Sequence, residues 1–145
     1  MYLVDTNVWL ELLLDQEHAA DVRRFFDVIP SAEIALTEFT LYSIGIILTR
    51  LSKDALFKEF ISDILDVARV QRVRLETHGF AKLLHVRAAF RLDFDDAYQY
   101  AAAEMHDMTL VSLDADFDKT ARGRCSPQQV TSSRTMLGRQ HKPPQ

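Results

Sequence analysis

The chain has a single cysteine, Cys125, in 145 residues. With no partner thiol it cannot form an intrachain disulfide, and a four-thiolate zinc site is excluded. Four glycines and four prolines are too few for a collagen-like or low-complexity chain. Long apolar runs are also missing. The longest, about Ile44 to Leu48, falls far short of the ~20 residues needed to span a bilayer. The opening Met1-Tyr2-Leu3-Val4-Asp5 reaches a carboxylate with no basic region before it, unlike a signal peptide. A hydrophobic share of 48% supplies a core and excludes wholesale disorder. The expectation is one globular domain, cytoplasmic, with no membrane segment.

Acidic residues are absent from positions 119–145, which hold Lys119, Arg122, Arg124, Arg134, Arg139 and Lys142. The preceding segment therefore has the other 11 basic residues against all 21 acidic ones. Phosphate contacts come from Lys and Arg, so an acidic body either avoids nucleic acid or neutralises its acids locally with cations. Beyond Gly123 the apolar density falls. The reading divides the chain into a domain over 1–130 and a basic, flexible tail over 131–145.

Hydrophobic periodicity predicts a strand over Met1–Val4 and a helix to about Leu14 capped by Thr6 or Asn7. A second helix follows over Glu17–Val28, and Glu33–Leu36 is a second strand. Thr37 caps a helix over Glu38–Thr49. A long helix is expected over Lys53–Val70, then a strand over Gln71–Leu75. Helices over Thr77–Arg91 and from Asp93 or Phe94 to His106 precede a strand over Thr109–Leu113. Strands alternating with helices imply an α/β fold with a mostly parallel sheet covered on both faces. Sites in such sheets form beyond the carboxyl ends of the strands. That edge holds Asp5, Glu38 and Asp114, and Asp96 lies in the first turn of a helix that could point at it.

Each acid has an ordinary explanation on its own: a helix start favours negative charge, and Asp is a common turn residue. Together, carboxylates converging on one edge would raise one another's pKa values. A hard divalent cation with oxygen ligands relieves that crowding. It can also activate water and neutralise charge developing on a phosphate.

Four strings carry a resemblance: L-V-D-T-N-V-W-L at Leu3–Leu10, L-T-E-F at Leu36–Phe39, L-D-F-D-D-A at Leu92–Ala97 and L-V-S-L-D-A-D-F at Leu110–Phe117. In order and spacing the chain resembles the PIN-domain nucleases over roughly Met1 to Pro127, and most of all the VapC toxins of bacterial type II toxin–antitoxin pairs. The resemblance implies a three-layer sandwich with a short parallel sheet of four or five strands flanked by helices. It implies an endoribonuclease using one or two Mg²⁺ or Mn²⁺ ions and leaving a 5′-phosphate and a 3′-hydroxyl. Asp5, Glu38, Asp96 and Asp114 carry over as catalytic and metal-binding acids, with Asp116 a weaker fifth. Asn7 and Ser112 carry over as positions that orient an acid or a water. The family's partners imply an RNA substrate, a homodimer and a cognate antitoxin protein.

The run Asp93-Phe94-Asp95-Asp96 is ambiguous. The family pattern places the acid directly before Ala, which selects Asp96. Asp93, three residues earlier, is then an N-cap or an outer partner, and Asp95 is expected to point elsewhere. Trp9 is expected in the core. Arg69, Arg72 and Arg74 could grip phosphates, although a solvated face is the more ordinary reading. The helix over Glu38–Thr49 has almost no polar face, so part of it should meet a partner. Two alternatives stand beside the nuclease. One is a catalytically silent PIN-like module that binds RNA or protein. The other is a haloacid-dehalogenase-type phosphatase, which needs a second Asp where this chain has Asn7.

Overall fold

The computed structural model describes residues 1–140. Four strands form the sheet: β1 (Tyr2–Val4), β2 (Ile34–Thr37), β3 (Gln71–Val73) and β4 (Thr109–Val111). Their order is β3-β2-β1-β4, and every pairing is parallel. Cys125 adds a one-residue parallel bridge to Val111. Among the described residues seven α-helices surround them: α1 (Thr6–Leu13), α2 (Ala19–Val28), α3 (Glu38–Arg50), α4 (Asp54–Ile61), α5 (Gly79–Phe90), α6 (Phe94–Met105) and α7 (Pro127–Gln140).

Strand alternation builds two cores. Leu3, Ala35 and Leu110 face one side, where Leu83, Val86 and the alanines of α6 cover them. Val4, Ile34, Leu36 and Val111 face the other, against Val8, Trp9, Val22, Phe25, Ile44 and Leu48. The result is the three-layer α/β sandwich. Trp9 is 1% exposed; its Nε1 donates to the Val4 carbonyl (3.2 Å) and its ring stacks on Phe26.

Three segments depart from the sequence reading. The first helix is capped by Asp5, whose Oδ1 accepts from the Thr6 N–H (2.8 Å), not by Thr6 or Asn7. The helix expected through Val70 ends as α-helix at Ile61, widens to a π-helix over Ser62–Val67 and stops before Arg69, whose φ is 53°.

The third departure is the tail. Residues 127–140 are helical and α7 packs against α2, so the fold extends past 130. Ser126 Oγ accepts from the Gln129 N–H (3.1 Å), while Gln129 Oε1 accepts from the Ser126 N–H (2.7 Å). This is a reciprocal capping box, with Pro127 at the first helical position, where it is tolerated best. Val130 and Thr131 are buried. The basic side chains of this region fold back on acids of the body: Arg122 on Asp107, Arg124 on Asp118 and Arg134 on Glu33. Residues 141–145, the rest of the expected tail, lie outside the described residues.

Candidate metal-binding active site

The chain leaves β1 for β2 on one side, and after β3 it returns to β4 on the other. That reversal opens a crevice beyond the carboxyl ends of β1 and β4, where open α/β sheets place ligands. Asp5 follows β1 directly. Its N–H donates to the Val111 carbonyl (2.9 Å), so the two strand ends hold each other as they diverge.

Ser112 locks the crevice. Its Oγ donates to Asp5 Oδ2 (2.8 Å) and accepts from the Asp114 N–H (3.0 Å) and from Asn7 Nδ2 (3.2 Å). One donor and two acceptor sites are the full capacity of a hydroxyl. Asn7 Oδ1 in turn accepts from the Leu113 N–H (3.2 Å). Asp114 Oδ1 accepts from the Asp116 N–H (2.8 Å), which starts the short 3₁₀ turn Ala115–Lys119. The sequence reading did not single out Arg124, which donates to the Ser112 carbonyl (2.9 Å) and braces this loop from behind.

The cleft so formed has an acidic floor and an apolar wall. Asp5, Asp95, Asp96, Asp114 and Gln99 line the floor, and Phe39, Ile46 and Ile47 belong to the wall. Asp96, Asp114 and Asp116 bring carboxylate oxygens within 4.8 Å of one another. Asp95, expected to point away, lines the same cleft. Asp93 occupies the N-cap position of α6, with no side-chain capping bond. Glu38 starts α3 one strand away, and its carboxylate pairs with Arg72 (3.7 Å).

The electrostatics follow from this crowding. Burial pushes Asp5 from 3.8 up to about 6; the Ser112 and Thr6 hydrogen bonds oppose the rise, and the charges of Asp114 and Asp95 add to it. Asp96 is raised to about 7, by burial first and then by Asp114, Asp5, Asp95 and Asp93.

The residues fit a hard cation. The floor is an oxygen-acceptor set with no Lys, Arg or His lining it, the donor chemistry that Mg²⁺ and Mn²⁺ take. A second observation is independent of the acids. Gln99 is 1% exposed, and its Oε1 is the one buried side-chain N or O atom without a partner among the described residues. Gln99 lines the same cleft as the acids, and an unsatisfied buried acceptor there costs stability until a donor reaches it.

The PIN domain family model matches residues 2–123. The chain belongs to the PIN domain family. No curated protein matches it in sequence. Among solved structures, this PIN domain is similar to a toxin–antitoxin complex from Klebsiella pneumoniae, with 16% identity, a TM-score of 0.70, and coverage of 88% of this chain and 98% of that one. FitAcB from Neisseria gonorrhoeae gives 22% identity and a TM-score of 0.73, with coverage of 88% and 98%. VapC20 of Mycobacterium tuberculosis, described as a Sarcin-Ricin loop cleaving toxin, gives 19% and 0.68, with coverage of 84% and 96%. At such identities the likeness is one of fold. In this PIN domain, Thr6, Thr40, Gln99 and Arg124 are the residues at or beside the cleft that sequence reasoning missed. A signal for Gln99 existed. It is a lone amide on the helix Phe94–Met105, one turn after Asp96, amid a run of Ala and Tyr.

Proposed function

We propose that this PIN domain is a divalent-metal-dependent endoribonuclease and the toxin of a toxin–antitoxin pair. The observation that carries the reading is the convergence of Asp5, Asp96 and Asp114 on one cleft that supplies no cation of its own. Such a cleft repels a phosphodiester unless a divalent ion is bound. In this reading Asp5, Asp96 and Asp114 hold one or two Mg²⁺ or Mn²⁺ ions, with Asp116 at the rim. Ser112 and Asn7 hold Asp5 in place, and Asp93 marks the start of the Asp96 helix. Glu38 is the fourth acid, and it enters the site by exchanging its half-exposed ion pair with Arg72, a contact worth under about 1 kcal/mol. When bound, the metal polarises the scissile phosphate and lowers the pKa of the attacking water. The protein fixes the carboxylates at the required spacing, and a bound cation would favour their ionised form. The apolar wall formed by Phe39, Ile46 and Ile47 suits the faces of nucleobases, leaving the phosphate over the acids.

The fold neighbours support the biological half of the reading, since one is described as a toxin–antitoxin complex and another as a Sarcin-Ricin loop cleaving toxin. The implied partners are an RNA substrate, an antitoxin and a second copy of the chain in a cytoplasmic setting. Among the described residues no helix is long and apolar enough to cross a membrane. Tyr42 and Ile46 on α3 are 62% and 51% exposed, consistent with a face that meets a partner. Light scattering tests the dimer: a 16.6 kDa species at tens of micromolar would remove it.

The test of function is cleavage of total cellular RNA by the purified chain with Mn²⁺, with EDTA and Asp96→Asn as controls. Sites are mapped by sequencing the new 5′-phosphate ends. Cleavage that survives in folded Asp96→Asn, or that ignores EDTA, would sink the reading.

A further inference from the structure

Among the described residues, Gln99 is the buried polar side chain with one amide atom bonded and the other unpartnered. Its Nε2 donates to Thr40 Oγ1 and lies 3.5 Å from Thr6 Oγ1. Thr40 Oγ1 also accepts from Thr37 Oγ1 (3.2 Å) and contacts Thr6 Oγ1 (2.9 Å). A hydroxyl accepts twice and donates once. With Gln99 and Thr37 donating to it, Thr40 has its single proton left for Thr6. The chain of bonds is therefore directional, and it joins three elements. Thr6 begins α1, next to Asp5. Thr37 caps α3, next to Glu38, by accepting from the Thr40 N–H (2.9 Å). Gln99 lies one turn after Asp96 on α6. One buried amide thus ties together the starts of the three helices that carry three of the four matched acids.

The other amide atom, Oε1, has no partner, although Gln99 lines the acid cleft. The carboxylates around it are acceptors when ionised and offer it nothing. A side chain kept only to fill space would be better served by Leu or Met, because an unsatisfied buried acceptor costs stability.

We propose that Gln99 is a positioning residue. Its Nε2 spaces the acid-bearing helix starts, and its Oε1, buried and without a partner in the metal-free fold, is the acceptor left for a donor that arrives with a bound divalent cation. The proposal rests on the metal-site reading above and adds a determinant of metal affinity to it. Outer partners of this kind change metal affinity by about 10–100-fold when removed.

The test is calorimetric titration of Mn²⁺ into the metal-free full chain at pH 8, with melting curves in EDTA. Gln99→Met keeps length and burial but has neither the acceptor oxygen nor the Nε2 donor; it should bind Mn²⁺ about 10-fold more weakly or worse, and its melting curve in EDTA shows that it is folded. Gln99→Glu keeps an oxygen but loses the Nε2 donor, so it should bind Mn²⁺ more tightly than Gln99→Met. Equal Mn²⁺ affinity in folded Gln99→Met and wild type would overturn the proposal while leaving the metal site standing. If Gln99→Met fails to fold, Thr40→Val, which removes the acceptor of the Nε2 bond, decides, and Mn²⁺ affinity equal to wild type in the folded variant overturns the proposal. A wild-type chain that binds no Mn²⁺ overturns the metal reading itself, and this proposal with it.

Discussion

Replacing Asp5 by Asn should make the metal-free protein more stable at pH 8 and less stable, or no more stable, at pH 4. Asp5 is 5% exposed, and its pKa rises from 3.8 to about 6 on folding. A carboxylate with a raised folded-state pKa binds its proton more tightly when folded. Below pH 3.8 both states are protonated and there is no penalty. The penalty grows as pH rises through the window from about 4 to 6 and is complete above it. The shift is worth about 3 kcal/mol against the wild type at pH 8.

The amide avoids that penalty at the cost of a hydrogen bond. Asp5 accepts at both oxygens, from the Thr6 N–H and from Ser112 Oγ. An amide has one oxygen, and Ser112 has no free lone pair for the new N–H₂, because Asp114 and Asn7 already occupy them. The lost bond costs about 1 kcal/mol or somewhat more. The net gain at pH 8 is about 1–2 kcal/mol, or about 2–8 °C in melting temperature for a chain of this size. Circular dichroism melts in EDTA at pH 4, 6 and 8 measure it. Saturating Mn²⁺ should reverse the order at pH 8, since ligand at 100 times its Kd stabilises the wild type by about 2.7 kcal/mol. A constant difference between the two proteins across pH 4–8 in EDTA would refute the argument, because it would mean that Asp5 titrates normally in the fold.

Three further outcomes are expected. Mn²⁺ affinity should fall as pH drops from 8 through 7 to 6, because Asp96 and Asp5 take up protons that compete with the ion; a dissociation constant that stays flat from pH 8 to 5.5 would place the ion elsewhere. Asp95→Asn should move the midpoint of that profile to lower pH, since the Asp95 charge helps raise both acids, and an unmoved midpoint would show that its charge does not reach the cleft. Ser126→Ala removes half of the capping box of α7 and should cost about 1 kcal/mol; unchanged melting would mean that α7 contributes nothing to the cooperative fold.

What the sequence determined by itself was local or periodic. Alternating apolar segments gave the order of strands and helices, and Asp5, Glu38, Asp96 and Asp114 could be assigned to strand ends and helix starts because those positions depend on chain direction alone. Trp9 was legible as core from its place on a short apolar helix. The capping box at Ser126–Gln129 was equally local and could have been read, but the basic charge around it suggested a tail.

Tertiary structure decided which neighbours meet. Strand order put β4 beside β1, so Asp5 and Asp114 share one hydroxyl, Ser112, more than a hundred residues from Asp5. It left Glu38 one strand away, facing Arg72 on the edge strand β3. It turned Asp95 into the cleft, which helix phase did not reveal. Above all, it brought Gln99 against Thr6 and Thr40, residues 93 and 59 positions away. Hydrogen bonds and Coulomb interactions act over a few ångströms of space, whatever the separation along the chain. Residue spacing can therefore nominate the acids, but only packing determines how crowded they are and which atom is left without a partner.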